Sequence, residues 1–199
     1  MVAITLPDGS VRQYEGRVSG ADIAADIGPG LAKAALAVRV DGTATDLLVP
    51  IENDASIGII TSKDEEALEL LRHDCAHVMA EAVKELYPKT QVTIGPSIEN
   101  GFYYDFHMDP LSDEDLRAIE KRMKELVKAN LKVEREEHDN ASLRSMFADN
   151  PFKIEIMDDK IGEGAGSSVY RQGDFVDLCR GPHVPTTAML RWFKLTSTS

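Results

Sequence analysis

Residues 70–82 read LLRHDCAHVMAEA, which sets His73 and His77 four positions apart. On a helix such positions point the same way, so the two imidazoles share a face and could hold a metal, a substrate or a proton in transit. Cys75, two residues from each, falls about 200° around the helix from them at about 100° per residue. The spacing therefore places Cys75 in the core with Leu68, Leu71, Val78 and Ala82. A metalloprotease helix needs a glutamate base directly after the first histidine, and this chain has the shorter Asp74 there.

A second group of reactive types lies a hundred residues on, in DFVDLCRGPHV at 174–184. Strand periodicity puts Asp177 and Cys179 on one face, and a turn at Gly181-Pro182 brings His183 back toward them. Packing alone accounts poorly for Asp and Cys on a buried strand beside Arg180 and His183, although a buried hydrogen-bonded turn is the structural alternative. The two groups predict one polar site holding His73, His77, Cys179 and His183. By ligand type this could be a zinc tetrad. It could equally be a metal-free hydrolytic pocket, and the residue types leave both open.

The elements that must position these residues read as α+β. AITLPDGSVRQYEG pairs two alternating runs across Pro7-Asp8-Gly9, AVRVDGTATDLLVPI does the same around Asp41-Gly42, and SIGIIT is a further apolar strand. A helical stretch, GADIAADIGPGLAKAALAVRV, is broken at Gly28-Pro29-Gly30. Strands, helix and more strands within 1–62 form one small domain without a reactive cluster. The second domain, 63–199, opens with Ser62 and Glu65 in capping-box spacing before a long helix to about Tyr87-Pro88. Extended segments follow, with a turn at Asn100-Gly101. A second helix starts near Ser112 and buries Leu116, Ile119, Met123, Leu126 and Val127. PFKIEIMD alternates as a strand that would leave Lys153 exposed, GEGAGSS reads as a loop, and VYRQGDFVDLCRGPHVP as a hairpin.

A formal charge of −12 argues against a protein that grips nucleic acid through its overall field. The basic run Lys121, Arg122, Lys124, Lys128, Lys132 and Arg135 is interrupted by glutamates, which favours a solvated helix laced with i,i+4 pairs. No stretch approaches the roughly 20 apolar residues of a membrane span, and the start lacks a secretory signal. These features, with only two cysteines expected as free thiols, predict a cytoplasmic protein.

With these residues in hand, the chain resembles the amino-terminal part of bacterial threonyl-tRNA synthetases. ITLPDGS, DIGPGLAKA, IENDASIGIIT, RHDCAHVMAEAVKELYP, IGPSIENGFYYDF, EKRMKEL and DLCRGPHVP carry the likeness, in family order. The resemblance implies a TGS-like β-grasp domain over 1–62. Over 63–199 it implies a two-layer α+β editing domain, similar to that of alanyl-tRNA synthetases, with a long helix against an antiparallel sheet. It implies hydrolysis of seryl-tRNA made in error on threonine tRNA, no cofactor, and the 3' aminoacylated end of tRNA as partner. By resemblance the editing residues fall on His73 and Lys153 as the catalytic pair, with His77, Asp177, Cys179 and His183 as substrate-binding residues, where Tyr104 could line the same pocket. The synthetic core of the family has no counterpart here, so a monomeric fragment or freestanding editor with weak tRNA binding is expected.

Editing answers a physical limit, because a methylene-sized difference yields only about 1–3 kcal/mol of discrimination, too little to separate serine from threonine in translation. A second pocket that admits serine and clashes with the threonine methyl inverts the selection. Two rivals stand beside this reading: a zinc-dependent deacylase of the alanyl type, and a non-catalytic RNA- or protein-interaction module with structural histidines.

Overall fold

The computed structural model describes residues 1–161 and 165–198. They divide into two compact units, Met1–Leu71 with Gly181–Pro185, and Arg72–Arg180 with Thr186–Ser199.

The first unit is a β-grasp. Strands β1 (Val2–Thr5) and β2 (Val11–Tyr14) form the expected hairpin, then come β3 (Val18–Ser19), helices α1 (Gly20–Ile27) and α2 (Pro29–Ala34), and strands β4 (Ala35–Val40), β5 (Thr43–Asp46), β6 (Pro50–Ile51) and β7 (Ala55–Thr61). The five-stranded sheet runs β2-β1-β7-β4-β5, with β1 and β7 parallel and every other pair antiparallel. Ser19 caps α1 reciprocally with Asp22, and Ile23 and Ala24 on its inner face pack with Ile4, Val38 and Ile57. Gly20 lets helix and sheet approach, since a Cβ there would stand 2.7 Å from Val38 Cβ. The helical stretch breaks at Gly28, as the sequence predicts.

The second unit takes most of helix α3 (Ala67–Leu86), the short strands β8 (Gln91–Val92), β9 (Ser97–Ile98), β10 (Gly101–Phe102) and β11 (Phe106–His107), helix α4 (Asp113–Ala129), strand β12 (Val133–His138), helices α5 (Asn140–Met146) and α6 (Pro151–Lys160), strands β13 (Ser167–Gln172) and β14 (Phe175–Leu178), and a 3₁₀ turn at Thr187–Met189. β12, β13 and β14 make a three-stranded antiparallel sheet. Residues 74–83 of α3 are buried all round, so this is a core helix with no solvent face there. Asn100-Gly101 turns the β9–β10 pair, and Ser112 caps α4 with Asp115 in return. Ile119, Met123 and Leu126 of α4 are buried as expected. Two members of the basic run are paired on α4: Arg122 meets Glu85 and Glu125, and Lys124 meets Glu120. Among the described residues, no helix is long and apolar enough to cross a membrane.

Three local expectations give way. α3 begins at Ala67 rather than at Ser62, because Asp64 accepts from the backbone and hydroxyl of Thr61 and closes a separate turn first. Leu68, in that first helical turn, is 53% exposed and leaves the core to Cys75, Val78 and Ala82. PFKIEIMD is helical: Asn150 accepts from Lys153 N and Pro151 takes the first position, start signals that outweigh the apparent alternation. Ile154, Met157 and Ile161 then pack at helical spacing with Leu143, Phe147 and Val169. Of the GEGAGSS segment, residues 162–164 lie outside the described residues and Ser167-Ser168 open β13.

Candidate active site

Two layers meet within the second unit, α3 on one side and the β13–β14 hairpin on the other. His73 Nε2 lies 3.1 Å from Cys179 Sγ, across 106 positions of sequence. The His73 and His77 rings stand edge to face with centroids 4.8 Å apart, which confirms their shared face. His77 Nδ1 is 3.8 Å from Asp177 Oδ2. Ser168 on β13 holds Cys179 by both its backbone groups: Cys179 N donates to Ser168 O at 3.2 Å and Ser168 Oγ donates to Cys179 O at 2.6 Å.

Deeper in, Lys153, Asp177 and Tyr104 form a closed triangle. Lys153 Nζ is 2.5 Å from Asp177 Oδ1 and donates to the Tyr104 hydroxyl at 3.2 Å. The Tyr104 hydroxyl in turn donates to Asp177 Oδ2 at 2.5 Å. Leu178 N also donates to Asp177 Oδ1, at 2.8 Å. All three side chains are buried, so Lys153 is a core lysine in the first turn of α6 and not the exposed strand residue its local sequence suggests. Burial, then the neighbouring Asp177 charge, pushes the Tyr104 phenol well above its ordinary value, so it remains a donor. Tyr104 also stacks on Phe106 at 5.0 Å, and it needs Gly95: a Cβ there would be 2.1 Å from Tyr104 Cδ2.

The structure thus brings six of the seven predicted residues together in this unit. His183 lies in the return segment Gly181–Pro185, grouped with the first unit; it is 2% exposed and its N–H donates to Asp46 Oδ1 at 2.7 Å. Cys75 is inert core, its thiol pushed by burial up to about 12. A cavity of about 730 Å³ lined by Met79, Val83, Phe102 and Ile119 shares Tyr104 with the cluster.

Sequence reasoning passed over Glu81 and Gln172, both buried and joined by a 2.6 Å hydrogen bond from Gln172 Nε2 to Glu81 Oε2. The signal was available, since Glu81 continues the i, i+4 stripe of His73 and His77.

Chemically, the cluster offers an imidazole at the edge of the buried group, a fixed ammonium and a partly exposed thiol. That set can hold a water against an ester carbonyl and offset developing negative charge. It also contains metal-ligand types, as the ligand atoms of His73, His77 and Cys179 lie within 4.8 Å of one another. Around one zinc, nitrogen and sulfur ligands would stand about 3.6 Å apart, so the 3.1 Å His73–Cys179 contact is a hydrogen-bond distance that a small outward shift would turn into a ligand spacing.

Residues 2–61 match the TGS domain family, and residues 167–199 match the family described as the threonyl and alanyl tRNA synthetase second additional domain. The chain is 60% identical over 193 residues to the threonine-tRNA ligase of Rhodospirillum rubrum, covering 96% of this chain and 30% of that protein. It is 55% identical over 199 residues to that of Thiobacillus denitrificans, with 98% and 31% covered. It is 57% identical over 205 residues to that of Paramagnetospirillum magneticum, again with 98% and 31% covered. The chain therefore spans about three tenths of the length of these relatives.

Proposed function

Since this chain is a relative of the threonine-tRNA ligases that spans a TGS domain and a match to their second additional domain, we propose that its second unit hydrolyses seryl-tRNA mischarged on threonine tRNA. The observation that carries the reading is the convergence of His73 with Cys179 beside the buried Lys153–Asp177–Tyr104 triangle. Structural histidines in an interaction module would not require a buried ammonium held in one place by two partners.

In the proposed reaction His73, on the more open side of the cluster, orients the attacking water and takes its proton. Lys153, with one N–H on Asp177 and another on Tyr104, directs its third toward the carbonyl oxygen as it gains charge. Asp177 holds that ammonium in place, while its second oxygen, flanked by Tyr104 and His77, faces the seryl amino group. His77 and Cys179 shape the pocket around the amino acid and the terminal nucleoside. A threonine methyl would clash with this wall, which is the source of selectivity.

A second reading is metal-dependent hydrolysis, favoured by the close approach of the His73, His77 and Cys179 ligand atoms. A bound zinc would supply an ionised water at neutral pH.

The deciding experiment is release of serine and threonine from matched aminoacyl-tRNAs by this chain and by His73→Ala, with and without chelator. Serine release that needs His73 and survives chelation supports the metal-free editor. Chelator-sensitive turnover with stoichiometric zinc supports the second reading, and background rates for both proteins remove the enzyme.

A further inference from the structure

We propose that Glu81 is a positioning residue for the reactive cluster, forming with Gln172 the third rung that holds α3 in register against the β13–β14 hairpin. For its effect on turnover, though not for its structural content, the inference rests on the deacylase reading above.

His73, His77 and Glu81 follow one another at four-residue intervals and form a single stripe on α3. Each member meets the hairpin. His73 reaches Cys179, His77 approaches Asp177, and Glu81 accepts from Gln172. The hairpin partners descend in the same order toward the turn: Cys179 bonds Ser168, Asp177 pairs with Tyr170, and Phe175 pairs with Gln172.

The two repeats are commensurate. Four helical residues advance about 6 Å. Two strand residues advance about 6.7 Å. His73 to His77 therefore matches Cys179 to Asp177, and the next step, His77 to Glu81, matches Asp177 to the Phe175–Gln172 rung. The two upper rungs carry the chemistry and cannot be tight everywhere, since the His77–Asp177 separation is 3.8 Å. The lowest rung is short and is 3% exposed at both residues, which makes it the contact that resists sliding of helix along hairpin.

The surroundings make the rung sensitive to charge. Burial first, opposed by the Gln172 bond, pushes the Glu81 carboxyl up to about 7; the other groups acting on it are Glu85 on α3, Arg122 on α4 and Asp174 in the hairpin turn. The neutral acid can exchange two hydrogen bonds with the Gln172 amide. The carboxylate accepts only, and faces Glu85 and Asp174 as like charges.

The test uses the full chain carrying Cys75→Ser, so that Cys179 is its single thiol, and compares it with Glu81→Gln and Glu81→Leu in that background. The readouts are the rate of Cys179 modification by a disulfide thiol reagent between pH 5.5 and 8.5, and serine release from seryl-tRNA. Glu81→Gln keeps the rung in a form that does not titrate. Its thiol rate should track the parent below neutrality, and the ratio of the two should shift through pH 7. Glu81→Leu should change the thiol rate and lower kcat by roughly tenfold, with KM nearly unchanged, within the ~10²-fold cost of an ångström of misplacement.

A flat ratio of unity for Glu81→Gln, or parental thiol reactivity in a folded Glu81→Leu protein, overturns the proposal. If Glu81→Leu fails to fold by circular dichroism, the Glu81→Gln ratio decides. If no protein in the series hydrolyses seryl-tRNA, the deacylase reading fails while thiol reactivity still decides the positioning role.

Discussion

Lys153 Nζ and Asp177 Oδ1 stand 2.5 Å apart with neither side chain more than 3% exposed, so a helix and a strand are joined by a fully desolvated ion pair. Such pairs contribute little net stability when intact, yet removing one partner strands the other charge. Lys153→Met should destabilise the protein by about 3–5 kcal/mol in chemical denaturation. The double variant Lys153→Met with Asp177→Asn should recover part of that loss while remaining inactive in deacylation. If the single and double variants are equally stable, the pair is not buried as described.

Tyr104 supplies one hydroxyl to both members of this pair. Tyr104→Phe leaves Asp177 Oδ2 without its shortest donor and should cost roughly 1–3 kcal/mol. Gly95→Ala should lower serine release without touching a polar group, because its methyl would occupy the ring position. Wild-type turnover in Gly95→Ala would show that the ring's placement is unimportant.

His73→Ala should lower serine release by roughly 10²–10⁴, the range for loss of a general base. Cys179→Ser retains a small polar group beside His73 and should cost far less in a metal-free site. In a zinc site both substitutions would abolish metal retention, measured by elemental analysis alongside the rates.

Glu120 on α4 accepts from Lys124, Lys194 and the backbone of Leu195. Lys124 foremost, then Lys194, pulls its carboxyl down to about 2, below the ordinary 4.5. A lowered folded value means that the contribution is complete above about 4.5 and is lost as pH falls toward 2. Glu120→Gln should therefore flatten the acid limb of the stability curve and raise hydrogen exchange at 194–198. An acid limb and exchange rates like those of the parent would show that this contact does not hold the segment.

Much of the site was legible because its signals are local. His73 and His77 share a face on any helix, and the helix was marked by the Ser62–Glu65 spacing before it and Tyr87-Pro88 after it. Asp177 and Cys179 alternate on one face of any strand, and the strand was marked by its turn residues. Lys153 entered the expected site only through family likeness, since its own segment alternates like a strand. The competing information was the Asn150-Pro151 start signal, which local pattern reading gave too little weight.

The amino-acid sequence by itself determined the hairpins, the α4 cap and its buried stripe, and the pairs of reactive residues that share a helix or strand face, because each depends on chain geometry over a few residues. Only the tertiary structure decided that Lys153 is buried against Asp177, that Tyr104 bonds both, and that Glu81 reaches Gln172. Those contacts join positions 24 to 91 residues apart, and they exist only where desolvation on two faces forces polar groups to find each other, a condition no local period encodes.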